Sequence, residues 1–259
     1  MLPDEHFEVN IMKTQQEWVK NILFRIMKMM QEEQYNGDLS TEGYRYTINA
    51  AIDNYSQTYW DDEKKKNISV FHKYASFDTG IYRNILMSEK AYAYMCDYSQ
   101  KAPDMDKRAK DRAKEKMKKA LHGEHLTPQS YTRHRLNKLF HKQLTDQELR
   151  DGIEYAFSDA KICIITKEES LILDGAKKTF SESEIRAFLS DYQKIRPDIS
   201  KDVEKEFLDL NGSSKRSKGS GAIRLYILWI NGVQFVDNDG EQKSFQECID
   251  YLEDGNYII

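Results

Sequence analysis

Apolar residues recur at helical spacing over residues 10–34, where Ile11, Trp18, Ile22, Ile26 and Met30 form one line and Val19, Leu23 and Met27 widen it. This pattern predicts a long amphipathic helix. After the loop from Gly37 to Thr41, Tyr44, Ile48, Ile52 and Tyr55 predict a second helix. Ile85, Leu86, Tyr92, Met95 and Cys96 predict a third over 82–99. Residues 1–100 therefore read as a mostly helical segment.

A segment of different character runs over 101–210. Pro103-Asp104 opens a charged helix to Leu121, whose apolar line (Met105, Ala109, Ala113, Met117) is thin, and Gly123 is expected to stop it. Thr127-Pro128 starts a helix that buries Leu136, Leu139 and Phe140. Thr145-Asp146-Gln147-Glu148 is a capping-box pattern starting another, to Phe157. The run AKICIIT, residues 160–166, predicts a buried strand, followed at once by Lys167-Glu168-Glu169 and a short helix through Leu173. Two further helices are predicted over 182–195 and 198–209, parted by Arg196-Pro197.

The last segment, 211–259, opens with NGSSKRSKGSG, a Gly/Ser/Lys linker. Ile223–Ile230 and Val233–Val236 then predict a β-hairpin across Asn231-Gly232. A final amphipathic helix carries Phe245, Cys248, Ile249 and Leu252. The elements imply an α+β fold, mostly helical, in three segments able to pack as one domain and without an internal repeat.

Composition changes this picture in two ways. The 259 residues suffice for a sizeable core, and no apolar run approaches the roughly 20 residues of a membrane span. The N-terminal MLPDEHFEVNIMK carries acids where a secretion signal carries bases. Cys96, Cys163 and Cys248 are far apart in largely apolar surroundings, which suits a reducing compartment, so a cytoplasmic protein is expected. The net charge of −4 also hides an asymmetry. Between Lys101 and Lys142 lie 13 Lys/Arg against 5 Asp/Glu, a local +8, which leaves −12 elsewhere. Lys107, Arg108, Lys110, Arg112, Lys114, Lys118 and Lys119, with Arg133, His134, Arg135 and Lys138, are the candidate phosphate-binding residues. The blander account of the helix is ion pairing along it, with Lys107–Asp111 and Asp111–Lys114 at suitable spacing. Lys215–Lys218, KRSK, reads first as part of a solubilising linker.

Several chemistries are excluded. The chain has no Gly-rich phosphate loop and no G-x-S-x-G elbow, and Cys163 sits in a predicted buried strand where a thiol is inert. His122-x-x-His125 and the His134/His141 pair have spacings compatible with zinc, but no Cys-x-x-Cys pair accompanies them. These histidines read more readily as surface groups or phosphate contacts. The adjacent pair Glu124-His125, followed by Pro128, offers more. On an extended segment its two side chains point apart, one suited to hold an ion and the other to take a proton from water.

The order EHLTP, then a basic helix, then a strand ending in IITKEE resembles the HNH or His-Me finger nucleases, over about residues 120–175. The nearest likeness is to their divergent bacterial and phage members with an EHxxP motif and an ITxEE-type turn. The resemblance implies a ββα-metal centre with His125 as general base, and with Glu124 and either Glu168 or Glu169 holding one Mg²⁺ or Mn²⁺. It implies no organic cofactor. It further implies hydrolysis of DNA phosphodiester bonds in a restriction or phage-defence setting, by a homodimer if the target is palindromic. The chain lacks the Asn-then-His pair that well-known members carry after the second strand. That departure keeps open a rival reading, a non-enzymatic bacterial or phage module that binds nucleic acid or a protein through its basic band.

Overall fold

The computed structural model describes residues 15–32, 46–52, 58–61, 66–69, 85–158, 160–174, 179–197, 208, 220–237 and 239–253. Ile11, Tyr44, Tyr55, most of the helix expected over 198–209 and most of the 211–221 linker lie outside them.

Helix α1 spans Gln15–Glu32, and residues 46–52 form α2. The face of α1 that is buried runs through Val19, Leu23, Met27 and Met30, while Trp18 is 46% exposed. The stripe is thus turned from the line through Trp18 toward its flanking residues. These side chains meet Ile48 and Ile52 of α2, Leu136 and Phe140 of α5 (Gln129–Phe140), and Leu149, Ile153, Ala156 and Phe157 of α6 (Asp146–Phe157). Four helices thereby share one core. The predicted capping box starts α6: Thr145 Oγ1 accepts from the Glu148 amide, and Glu148 accepts from the Thr145 amide at 2.8 Å.

Alongside this bundle lies a mixed five-stranded sheet. Its strands are β3 (Met87–Ser88), β4 (Leu121–His125), β5 (Ile162–Thr166), β6 (Phe235–Val236) and β7 (Gln242–Lys243), in the order β4-β5-β3-β6-β7. β3 and β5 are parallel and the other neighbours antiparallel. The sheet draws strands from all three sequence segments. A separate antiparallel pair joins β1 (Thr58–Asp61) to β2 (Lys66–Ser69). These strands and β3 add β-structure to a first hundred residues expected to be mostly helical. Ile85 and Leu86 lead into β3, and Ser88 caps α3 (Glu89–Lys101) by accepting from the Ala91 amide.

One face of the sheet packs Ile85, Met87, Ile162, Ile164 and Val236 against α3 and Met117 of α4 (Lys107–Ala120). Asp106, not Pro103, caps α4. The helix ends at Ala120, and Gly123 lies within β4 rather than terminating the helix. The other face packs Leu86, Cys163, Ile165 and Phe235 against α7 (Lys167–Asp174), α8 (Glu182–Ile195), α9 (Gly221–Ile230) and α10 (Phe245–Glu253).

The largest departure from the sequence reading is α9, expected as a strand. Ile223, Leu225, Ile227 and Leu228 are all fully buried. A run apolar on every side fits a core helix as well as a buried strand, and a helix closes its backbone hydrogen bonds without a neighbouring strand. Asn231-Gly232 is accordingly a helix stop. Val233 N–H donates to Leu228 O at 3.1 Å and Gly232 N–H to Trp229 O at 3.0 Å, with Gly232 at φ +83°, the bonding of a Schellman cap. The hairpin is formed one element later by β6 and β7, where Gly240 takes φ +83° and Asp237 accepts from the Asp239 and Glu241 amides. No helix among the described residues is long and apolar enough to cross a membrane.

Candidate functional site

Strand β4 pairs with β5 along its whole length, Glu124 opposite Cys163 and His125 opposite Ile162. Side chains alternate across a strand, so Glu124 and His125 leave opposite faces of the sheet. Glu124 and His122 share the face covered by α9, and His125 lies on the face of Leu121 and Ile164. The Leu126 amide donates to Lys161 O at 2.9 Å, which holds the chain against β5 as it turns into α5. Pro128 occupies the N-cap of α5, and Thr127 is buried beneath it.

Glu124 is 8% exposed and its partner Arg224, from the second turn of α9, is 3% exposed. The Arg224 guanidinium donates to Glu124 Oε1, and His122 Nε2 stands 3.1 Å from Glu124 Oε2. Burial acts most strongly on this carboxyl and pushes its pKa up. The His122 hydrogen bond and the Arg224 charge outweigh it, so the group titrates below the ordinary carboxylate value. Both oxygens are engaged. The His122 side chain is 44% exposed, so the imidazole that solvent reaches beside Glu124 is that of His122.

Glu169 is buried at the start of α7. It accepts from Ser88 Oγ at 2.6 Å and from the Thr166 amide at 2.8 Å, so it ties the start of α7 to the start of α3. Glu168 is exposed. Both acids follow Thr166, which pairs with Leu121, at the end of the β4–β5 ladder remote from His125. Four residues of strand separate the two ends, about 13 Å. Glu124 and His125 thus leave opposite faces of β4, and Glu168 and Glu169 follow the end of the ladder away from His125. Among the described residues, no group of three His, Cys, Asp or Glu side chains is placed to hold a metal ion. His134 and His141 are both exposed, on α5 and just beyond it.

The sequence singled out Glu124 but not its partner. An arginine inside an apolar run (Ile223-Arg224-Leu225) was the available signal, because a charge in such a setting needs a buried counter-charge. Cys163 and Cys248 are buried, and Cys96 is half-buried. Burial holds the Cys163 thiol well above its ordinary value and pushes Cys248 up to about 12.

The basic residues fall into two groups. On α4, Met117 is buried and Ala113 packs beside it, which turns Arg108, Arg112, Lys116 and Lys119 outward. Arg108, Arg112 and Lys119 recur at intervals of four and seven, one outward line roughly 16 Å long. Lys118 pairs with Glu115 at 2.6 Å. Lys107, Arg108, Lys110, Arg112 and Lys116 have no ion pair among the described residues, and neither has Asp111, so the expected Lys107–Asp111 and Asp111–Lys114 pairs are not made. On α5, Arg133 donates to Asn49, His134 and Lys138 are exposed, and the Arg135 guanidinium lies 4.6 Å from the ring centre of Tyr131 and 5.0 Å from that of Tyr155. Comparison with protein families, curated proteins and solved structures returns no match to this chain.

Proposed function

We propose that the protein binds nucleic acid through the sugar–phosphate backbone, with α4 as the principal contact. The observation that carries this reading is the outward face of α4, where Arg108, Arg112 and Lys116 stand exposed, without ion pairs among the described residues, in a chain of net charge −4. On a solvated helix, opposite charges three or four residues apart stabilise it by a few tenths of a kcal/mol each. On α4 several cations stand on one side with no ion pair among the described residues, in an arrangement suited to releasing counterions from a polyanion. Concentrating the bases on one helix of an acidic chain also directs that polyanion to a defined surface. Within the basic band of the interaction-module reading, this proposal rests on α4.

A second reading, hydrolysis of the bound strand, has one observation in its favour. The pairing of β4 with β5 makes the EHLTP and IITKEE segments neighbours, as in the nucleases they resemble. Against it, Glu124 leaves the opposite face of β4 from His125, and Glu168 and Glu169 follow the far end of the β4–β5 ladder.

One experiment addresses both readings: labelled DNA mixed with wild type, an Arg108→Gln/Arg112→Gln/Lys116→Gln variant and His125→Ala, each with Mg²⁺, Mn²⁺ or EDTA. Binding that weakens in the triple variant supports the first reading. Cutting by wild type that requires a divalent ion and fails in His125→Ala supports the second. Equal binding by wild type and the triple variant would refute the role of α4.

A further inference from the structure

Helices α5 and α6 carry a different kind of surface from α4. Tyr131, His134, Arg135 and Lys138 recur at intervals of three, four and seven and so share one face of α5, while Thr132, Leu136 and Phe140 are buried on the other side. The guanidinium of Arg135 lies over two rings, Tyr131 of its own helix and Tyr155 of α6. Tyr131 is buried to 9% exposure, which anchors the inner end of this stack, whereas Tyr155 is 60% exposed at its outer end. A tyrosine held in place by an arginine and left that open to water presents a preset flat aromatic surface, at low entropic cost to whatever stacks on it.

We propose that this Tyr131–Arg135–Tyr155 stack is a platform for unpaired bases, so that the nucleic acid bound is single-stranded. The proposal rests on the nucleic-acid reading and narrows its substrate. Bases within a duplex hide their faces in the helical stack, and only an unpaired base can lie flat on Tyr155. The surrounding polar and charged groups set the path of the strand. His134 and Lys138 are exposed on α5 beside Arg135, whereas α6 exposes Glu148 and Asp151, seven and four residues before Tyr155. Phosphates are drawn to the α5 side and repelled from the first turns of α6, so the backbone follows α5 while a base reaches across to Tyr155. Arg133, tied to Asn49, shapes the helix packing and lies outside this platform.

The test measures binding of the full-length protein by fluorescence anisotropy, with labelled oligothymidylate and oligouridylate of about 20 nucleotides, an abasic strand of equal length and a duplex. The wild type is expected to prefer at least one of the two base-bearing single strands over the abasic strand and over the duplex. Tyr155→Ala is expected to weaken that strand by about 5- to 150-fold and to leave abasic binding unchanged, while Tyr155→Phe and Tyr155→Trp retain the affinity. Because Tyr155 is exposed, these variants keep the fold, which circular dichroism checks. Equal affinity for base-bearing and abasic strands, or a Tyr155→Ala variant indistinguishable from wild type, overturns the platform while leaving backbone binding by α4 intact. Failure of every strand to bind at about 0.05 M salt overturns the platform together with the nucleic-acid reading.

Discussion

Replacing Arg224 with Met removes the guanidinium that holds Glu124 inside the protein and keeps most of the side-chain volume. Glu124 then stays buried under α9 with only His122 to offset its charge. Breaking a buried pair by deleting one member costs roughly 3–5 kcal/mol, because the remaining charge keeps its desolvation penalty. A loss of that size lowers Tm by roughly 6–20 °C in a chain of this length. The penalty also has a pH signature. In the wild type the Glu124 carboxyl titrates below its ordinary value of 4.5, so its contribution is present above that value and is lost as pH falls through the lower, folded value. In Arg224→Met burial still pushes the carboxyl up and the Arg224 attraction is gone. The cost of the substitution is therefore largest near neutral pH and shrinks once Glu124 is protonated in both folded and unfolded chains. Urea unfolding of wild type, Arg224→Met, Glu124→Leu and the double variant, each near pH 7 and near pH 4, measures this directly. The double variant is expected to be much closer to wild type than either single one. A loss below about 1 kcal/mol at both pH values, with additive single substitutions, would show that the pair is not a buried, coupled charge pair.

Other substitutions test the fold around the site. Ile227→Ala, at a fully buried position of α9, should cost about 2–5 kcal/mol in urea unfolding, as expected for a cavity in a core. Gly232→Ala should cost about 1–2 kcal/mol through the φ of +83° alone, since nothing lies within 4 Å of the added Cβ; an unchanged midpoint would argue against the Schellman cap. Thr145→Ala should cost about 1 kcal/mol by removing the side-chain half of the α6 capping box, with no effect on oligonucleotide binding.

Elements defined by local chemistry were legible in the sequence. The capping box at Thr145, the amphipathic run over 182–195, the buried strand ending at Thr166 and the terminal helix from Phe245 all follow from spacing and caps. Elements defined by their neighbours were not. Apart from Arg224, Ile223–Ile230 is apolar on every side and carries no period to separate helix from strand, and Asn231-Gly232 serves a Schellman cap as readily as a hairpin. Met87–Ser88 is a strand only because β5 and β6 flank it. The true hairpin had its own signal, Asp239-Gly240, but its strands are two residues long. At the candidate site the sequence supplied Glu124 and the neighbouring β5. The partner Arg224 lies 100 residues away, and the separation of Glu124 from His125 follows from strand alternation once β4 is extended.

The most direct measurement of the central claim is the salt dependence of oligonucleotide binding, wild type against Arg108→Gln/Arg112→Gln/Lys116→Gln. Each phosphate contact contributes about 0.7 to the slope of log K against log salt for a single strand and about 0.9 for a duplex. If α4 grips the backbone, affinity falls steeply with salt, and the triple variant binds more weakly with a slope reduced by roughly two to three. Wild type and variant lines that coincide, or binding indifferent to salt, would contradict the assignment of α4 as a nucleic-acid face.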